Sequence, residues 1–288
     1  MRAGVIRGLT GAVLAGVTLL AASACAGRDL TAQWPAMAAP TGWEPRAGTC
    51  HSSFEEVSHR AAYRPVECTA SHGYETTHIG TFSGAVAAAG KPPARAELAA
   101  AWAECDAKTT EYLGGPWRDA NVWIGVSVPS PGGWTGGARW FRCEAGATTY
   151  QIGDLINYSK SLKGVLAGQS ELKRGCYQIP ADEEADWAPV PCTTRHNAEF
   201  VGTFLSTDTH EQLQANLPSA HQRCRSLIAR YVGVPDDGNM RYRSGSYYSF
   251  PSKRDWDDGD RGVRCHLWMS DKQLTASVKG GGNQALPK

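Results

Sequence analysis

Residues 129–143 read PSPGGWTGGARWFRC, and residues 251–265 read PSKRDWDDGDRGVRC. Both stretches begin with proline and serine and end with cysteine, and a tryptophan, a glycine and two arginines stand at identical spacings between them. Such self-similarity at a fixed distance is the signature of a repeated structural unit. The two stretches therefore predict that the chain contains two copies of one module.

The similarity extends upstream and downstream of these stretches. In the first half the further landmarks are Cys50, Cys68, His72, Glu75, Gly80-Thr81-Phe82, Cys105, Tyr112, Gly114 and Ser161-Leu162-Lys163-Gly164. Their counterparts are Cys176, Cys192, His196, Glu199, Gly202-Thr203-Phe204, Cys224, Tyr231, Gly233 and Ser277-Val278-Lys279-Gly280. These landmarks delimit two tandem modules, residues 48–165 and 169–283.

Local patterns within each module predict an α+β fold. Apolar residues recur at helical spacing between Ala94 and Leu113, with prolines before them and glycines after them. A second helix is predicted to begin at Pro218 and end at Gly233. The alternation at 263–269, followed by a turn into 274–278, predicts a strand hairpin. We expect two small disulfide-stapled modules, each with a helix packed on a mostly antiparallel sheet.

Nine cysteines occur in the sequence, and no two of them form a Cys-x-x-Cys pair. If Cys25 is modified, eight remain, and an even set in an exported chain favours disulfides over zinc or redox sites. The preferred pairing is Cys50 with Cys68 and Cys105 with Cys143, repeated as Cys176 with Cys192 and Cys224 with Cys265. Four cysteines allow three pairings per module, so the other two pairings stay open.

The first 25 residues are typical of a signal peptide. Two arginines precede or flank an uncharged stretch that ends in Ala22-Ser23-Ala24-Cys25, which looks like a lipobox whose cysteine, Cys25, would be lipidated. The expected location is the outer face of the cytoplasmic membrane. Alternatives are a secreted protein and an uncleaved anchor, although the apolar run is short for a membrane span. Residues 26–47, rich in proline and alanine, are interpreted as a linker.

Charge narrows the choice of partners. The whole chain has 29 basic and 28 acidic residues, and removal of residues 1–24 takes away two arginines and no acid. The nearly neutral product lacks the dense basic face that phosphate backbones require, so no nucleic-acid partner is expected. Membrane contact is expected through the lipid anchor alone.

The second half carries Cys192-x3-His196-x2-Glu199-x2-Gly202-Thr203-Phe204, then Tyr231-Val232-Gly233, then 251–265 with Trp256 and Gly259-Asp260-Arg261. This pattern resembles the septum formation domain of actinobacterial exported and membrane-anchored proteins. The first half departs from it, with Gly137-Ala138-Arg139 where Gly-Asp-Arg is expected. The resemblance implies a cell-envelope role linked to septation, and it implies no known reaction.

His72 with Glu75, and His196 with Glu199, recur just after a cysteine and are candidate ligand-binding residues. The spacing could serve a metal or acid-base chemistry, but two side chains are fewer than the three or four ligands of a zinc site. A buried hydrogen bond between histidine and glutamate that orders the loop is the structural alternative.

Trp134 with Arg139, and Trp256 with Arg261, form the second candidate set. An exposed tryptophan beside an arginine suits stacking on a sugar or capture of an anion. The alternative is an aromatic cover over a small core, with the arginine stacked on the ring. The acids around Trp256 suggest calcium, but the twelfth position of an EF-hand count from Asp255 holds His266 instead of glutamate, so no metal is assigned.

No zinc-peptidase, nucleophile-elbow or phosphate-loop motif occurs, and no cofactor is predicted. The main hypothesis is a non-enzymatic envelope lipoprotein that binds or scaffolds an envelope or division protein. The alternative is a module that binds cell-wall glycan or a small ligand through Trp134 and Trp256. A third hypothesis is a wall hydrolase that uses His196 and Glu199 as its acid-base pair.

Overall fold

A computed structural model describes residues 43–150, 153–180 and 187–286. The predicted signal peptide 1–25, the lipidation site Cys25 and most of the predicted linker 26–47 lie outside the described residues. No helix in the described ranges is long and apolar enough to cross a membrane.

The first half contains a six-stranded sheet. Its strands are β1 (Thr49–His51), β2 (Val57–Ser58), β3 (Pro65–Val66), β4 (Tyr74–Thr81), β5 (Val122–Pro129) and β6 (Trp140–Ala147). Their spatial order is β2-β5-β6-β4-β1-β3. All neighbours are antiparallel except β2 and β5, which are parallel. The sheet is therefore mostly antiparallel, as the sequence predicts.

The second half contains a five-stranded antiparallel sheet. Its strands are β7 (Cys176–Gln178), β8 (Ala188–Val190), β9 (Ala198–Leu205), β10 (Gly245–Ser249) and β11 (Gly262–Trp268). Their order is β10-β11-β9-β7-β8, which is the order β5-β6-β4-β1-β3 of the first sheet. The two sheets share one topology, and β2 is an addition to the first.

The register of the sheets corrects one part of the sequence comparison. In the first sheet, His78 pairs with Cys143, the last cysteine of that half. In the second sheet, Gly202 pairs with Cys265, the last cysteine of that half. Gly202 therefore corresponds in space to His78 and not to Gly80. The two halves have a register shift at the same place in this ladder. Strand pairing fixes this register, so the shared Gly-Thr-Phe letters do not mark equivalent positions.

Seven α-helices accompany the sheets in the described residues. They are α1 (Gly84–Ala88), α2 (Ala99–Leu113), α3 (Pro131–Thr135), α4 (His210–Ala215), α5 (Leu217–Val232), α6 (Met240–Arg243) and α7 (Lys253–Asp258). Short 3-10 helices span Arg95–Glu97, Trp117–Asp119 and Gly282–Gln284. The predicted first helix thus begins later than Ala94.

The long helices α2 and α5 each pack on one sheet. The buried residues of α2 are Ala101, Trp102, Cys105, Thr109 and Leu113. Those of α5 are Ala220, Cys224, Ile228, Ala229 and Val232. Each helix is followed by a glycine in the left-handed conformation, Gly114 at φ 77° and Gly233 at φ 83°, which glycine adopts without steric cost. The predicted α+β fold is confirmed.

Four disulfides hold these elements together. Cys105 joins α2 to Cys143 in β6, and Cys224 joins α5 to Cys265 in β11. Near the opposite edge of each sheet, Cys50 is bonded to Cys68 and Cys176 to Cys192. All four are the preferred pairs, and each of them lies within one half. Disulfides of this kind are typical of exported proteins.

The predicted hairpin after residue 269 is wrong. Strand β11 pairs with β9 on one side and with β10 on the other, so neither of its edges is free for residues 274–278. That segment instead makes an isolated bridge between Leu274 and His196. It crosses the start of β9, where it completes the site described below.

The two halves belong to one compact unit. Arg118, after α2, donates to Asp106 of its own half and to Asp260 of the second half, at 2.7 and 2.9 Å. The loop after α7 comes so close that a Cβ on Gly259 would lie 2.7 Å from a ring carbon of Trp102. Glycine is therefore required for this approach of the halves.

Candidate functional site

A buried carboxylate stands at the centre of the second half. Glu199, in β9, is fully buried and accepts hydrogen bonds from the Tyr231 hydroxyl at 2.9 Å and the Ser277 hydroxyl at 2.8 Å. The Val278 backbone N–H donates to it at 2.9 Å, and His196 Nε2 lies 3.0 Å from Oε1. These contacts tie α5 and the C-terminal segment to the sheet.

The first half repeats this arrangement around Glu75 in β4. Its carboxylate accepts from the Tyr112 hydroxyl, from Ser161 Oγ at 2.7 Å and from the Leu162 N–H at 2.6 Å. The Ser-Leu-Lys-Gly and Ser-Val-Lys-Gly echo in the sequence therefore has a structural cause. In each half this segment supplies a hydroxyl and an N–H to the buried carboxylate.

Proton counting limits the states of His196 and Glu199. His196 Nδ1 lies 2.6 Å from the Thr194 carbonyl oxygen, which can only accept, so Nδ1 carries a proton. Nε2 faces Glu199 Oε1, and a hydrogen bond between them requires one further proton. This proton lies either on Nε2 of an imidazolium beside a carboxylate or on Oε1 of a carboxylic acid beside a neutral ring.

Burial and the neighbouring carboxylates also act on the two tyrosines. Burial, together with the hydrogen bond and charge of Glu75, raises the pKa of Tyr112. Burial and the charge of Glu199 likewise raise the pKa of Tyr231. Both hydroxyls remain protonated donors across the physiological range, so neither serves as a base.

The two histidines differ. His72 Nδ1 lies 2.8 Å from the Ala70 carbonyl oxygen, but its buried Nε2 has no hydrogen-bond partner within the described ranges. The structural alternative for these pairs, a direct hydrogen bond from histidine to glutamate, is thus present at His196 with Glu199 and absent at His72 with Glu75.

The sulfurs beside these carboxylates do not complete a metal site. Cys50, Cys68 and Glu75 lie close together, as do Cys176, His196 and Glu199. All of these cysteines are in disulfides, which removes the thiolates that zinc would bind. Internal donors already occupy both carboxylates. The role of each cluster is therefore structural, since it holds the neighbouring chain segments together.

Trp134 and Arg139 stack on each other inside the first half. Trp134 is 1% exposed, its Nε1 donates to the Ala89 carbonyl at 2.7 Å, and the Arg139 guanidinium lies 4.1 Å from the ring centroid. Arg139 also donates to Ala87 at 2.6 Å. The pair therefore fastens the C-terminal end of α1 to α3 and to the residue before β6.

Trp256 and Arg261 occupy the same place in the second half. Trp256 is 1% exposed, the Arg261 guanidinium lies 5.1 Å from its ring, and His210 and Phe250 pack edge-on against it. An exposed stacking face was the basis of the glycan hypothesis. The structure corrects this expectation, because both tryptophans are enclosed and the alternative of an aromatic cover describes them.

The acids around Trp256 point to separate partners. Asp257 pairs with Lys253, Asp258 with Arg95 and Asp260 with Arg118 and Arg264, while Asp255 accepts from Trp123. Three of these four acids have a partner in the first half. Their role is to join the halves, and the sequence could not reveal it because the partners are more than a hundred residues away.

A buried polar cluster in the first sheet escaped the sequence analysis. Glu144 is 3.0 Å from Arg142 Nε and accepts from Thr76, which also contacts His51 at 3.1 Å. Burial raises the pKa of Glu144 to about 7, against the effect of Arg142. Burial and the Arg142 charge lower the pKa of His51 to about 4. The sequence signal that could have revealed this cluster is the alternation of Arg142 and Glu144 with apolar residues.

The second half replaces this cluster by aromatic packing. His266, at the position of Glu144, lies 5.2 to 5.6 Å from the rings of Tyr177, Trp187 and Phe200. Neither of its ring nitrogens has a hydrogen-bond partner in the described part of the chain. Burial and the charges of Arg174 and Arg264 lower the pKa of His266 to about 3, so the ring is neutral.

A cavity of about 430 Å³ opens along β5. Apolar side chains and charged side chains of both halves line it. The apolar and aromatic lining residues are Phe54, Val57, Tyr74, Leu98, Trp102, Trp123, Val126, Val128 and Leu155, and the charged ones are Glu56, Arg95, Arg254, Asp255 and Asp258. Its size is within the range of ligand pockets. The cavity is therefore a candidate place for an external group.

The septum formation family matches residues 47–279 in a single span that crosses both halves. No curated protein and no solved structure matches the chain. The match covers the saturated carboxylates, the four disulfides and the residues that join the halves. The chain therefore belongs to the septum formation family.

Proposed function

We propose that the protein is a non-enzymatic component of the cell envelope that binds or scaffolds other proteins during septation, held to the membrane by a lipid on Cys25. The observation that carries this proposal is the family match over 47–279, whose description is septum formation. Four disulfides fit an extracytoplasmic location. The signal-like start and Cys25 support the anchor.

The geometry of the candidate residues favours binding over catalysis. His196 and Glu199, the acid-base pair of the hydrolase hypothesis, are fully buried and bonded to each other. A catalytic acid or base must reach its substrate, and these two cannot without unfolding of the C-terminal segment. The glycan hypothesis loses its basis through the burial of Trp134 and Trp256.

Localisation in the native host tests the proposal. The full chain is fused at its C-terminus to a fluorescent protein that folds after export. We expect membrane fluorescence that concentrates at division septa, and a septation defect when the protein is depleted. Uniform fluorescence together with normal septa in depleted cells would contradict a role in septation.

The anchor is tested separately with Cys25→Ala. We expect this variant to leave the membrane fraction and the native protein to have the mass of a diacylated Cys25. The matched control is Ser23→Ala, which keeps the cysteine and should remain in the membrane fraction. An unchanged membrane fraction for Cys25→Ala would contradict the lipid anchor and leave the septation role to the first test.

A further inference from the structure

The cavity at β5 encloses one edge of that strand. Side chains of alternate residues of a strand point to opposite faces of a sheet. Trp123 belongs to one face of β5, Val126 and Val128 to the other, and all three line the cavity. A space that touches both faces of one strand lies along its edge.

Hydrogen bonds show which backbone groups of β5 face the cavity. The Val128 N–H donates to Glu56 at 2.8 Å and the Ser130 N–H to Ser58 at 2.9 Å, on the side away from β6. Because the direction alternates along a strand, the N–H and C=O groups of Ile124 and Val126 point to this side as well.

No strand among the described residues pairs with these groups. Strand β2 consists of Val57 and Ser58 and pairs only with Val128 and Pro129. Within the described ranges, Ile124 and Val126 make no hydrogen bond on this side to any backbone or side chain outside the sheet. In the part of the chain that the structure describes, the free edge is therefore Ile124–Val126, next to the parallel ladder of β2, and Val126 lines the cavity.

The edge and the cavity together indicate the chemistry of an occupant. Alternating donors and acceptors along a strand edge are matched by the backbone of an extended peptide, and side chains of that peptide enter neighbouring pockets. Leu98, Trp102 and Leu155 offer contacts to an apolar side chain. A lipid or a glycan lacks the regular N–H and C=O spacing.

The charges that line the cavity indicate what flanks the apolar side chain. Three acids, Glu56, Asp255 and Asp258, stand against the two arginines, Arg95 and Arg254. The arginines already pair with Glu56 and Asp258. The remaining charge is acidic, so a peptide with a lysine or arginine beside its apolar residue is favoured over an acidic peptide.

We propose that the free edge of β5, Ile124–Val126, binds an extended apolar peptide segment with a basic flank from a partner protein, which adds a strand beside β5 in line with β2. This inference rests on the proposed function, because it names how a septation component would hold its partner. Unpaired edges invite such additions, and proteins normally cover or charge them.

Peptides selected from a random display library on the folded chain test the proposal. The tightest peptide is synthesised together with a copy that is N-methylated at two adjacent central amides, which blocks both edges of a peptide strand. We expect apolar residues with a basic flank, and at least about tenfold weaker binding of the methylated copy. Failure to select any peptide, or equal binding of both copies, would overturn the proposal.

Hydrogen exchange by NMR locates the binding. In the free protein the amides of Ile124 and Val126 should exchange faster than those of Trp123 and Gly125, which face β6. The peptide should slow the first two by at least about tenfold. Protection confined to another edge, such as β10, would refute the assignment.

A matched pair of variants completes the experiment. Leu155→Arg places a charge in the cavity, and Leu205→Arg places one on a residue that is 57% exposed and outside it. We expect only Leu155→Arg to weaken the selected peptide, by at least about tenfold. Equal affinity in both variants would overturn the proposal. Normal septal localisation without peptide binding would refute this inference alone, whereas peptide binding by a protein absent from septa would refute the proposed function.

Discussion

At the scale of single residues, the two buried carboxylates allow a comparison within one molecule. Glu199 and Glu75 each accept from a tyrosine, a serine and a backbone N–H, but only Glu199 contacts a histidine. If the shared proton lies on His196, Glu199→Gln leaves this imidazolium without its counter-charge. We expect a loss of about 3 kcal/mol in the free energy of unfolding, measured by urea denaturation of the oxidised protein.

Glu75→Gln is the matched control. This substitution weakens the same three types of hydrogen bond but leaves no buried histidine without a partner. We expect a loss of about 1 to 2 kcal/mol in the free energy of unfolding. Equal losses for the two variants would mean that the shared proton lies on Glu199 and that His196 is neutral.

His266 gives the molecule a pH dependence of its own. The folded protein holds its pKa at about 3, below the unfolded value of 6.5, so the unfolded chain binds more protons between these values. Its contribution to stability is therefore complete above pH 6.5 and is lost as the pH falls toward 3, by about 1.4 kcal/mol per pH unit.

His266→Phe should remove this dependence. Acidification from pH 6.5 to 4.5 is expected to destabilise the wild type by roughly 2 kcal/mol more than the variant, in urea denaturation at each pH. Glu144, whose raised pKa has the opposite effect, is present in both proteins and does not affect the difference. Parallel pH profiles for the wild type and His266→Phe would contradict the assignment.

At the scale of secondary-structure elements, the four disulfides differ in access. Cys105, Cys143, Cys224 and Cys265, which fasten the long helices, are 0% exposed, whereas Cys68 and Cys192 are half-buried near the surface. Exchange requires a thiolate to reach a sulfur. Under native conditions dithiothreitol should therefore open Cys50–Cys68 and Cys176–Cys192 first, as seen by differential alkylation and peptide mass mapping.

Unfolding provides the control for this order. In urea all four pairs should open at similar rates, because the helices no longer shield the inner sulfurs. Native reduction that begins at Cys105–Cys143 or Cys224–Cys265 would show that the long helices detach from their sheets more readily than the packing indicates.

The elements that could be predicted are those whose cause is local. Helices α2 and α5 have apolar residues at helical spacing, and each is followed by a glycine. The cysteines recur at similar positions in the two halves of the sequence, and these positions correspond in the two folded halves. The segment 274–278 also alternates, but both neighbours of β11 come from distant parts of the chain, so its pairing could not be deduced locally.

At the scale of the whole molecule, the contacts between the halves explain a difference between the two repeated stretches. Asp260, which pairs with Arg118, stands where the first half has Ala138. Alanine has no carboxylate, so there is no reciprocal ion pair at this position in which the first half supplies the aspartate. A repeat comparison shows that these letters differ but not why, because the reason lies 142 residues away in sequence. The free edge of β5 could not be predicted from the sequence either, because it depends on which distant segments pair beside β5.

Asp260→Ala tests whether the halves are held by this ion pair. Arg118 and Arg264 would both lose a buried carboxylate, and we expect a loss of about 3 kcal/mol in unfolding free energy together with faster proteolysis between the halves, near residues 163–175. Asp257→Ala, which removes only an exposed pair with Lys253, is the control and should cost less than about 1 kcal/mol. If both variants unfold and digest alike, the halves are held by apolar contacts such as Gly259 on Trp102, and the aspartate of the second half has another purpose.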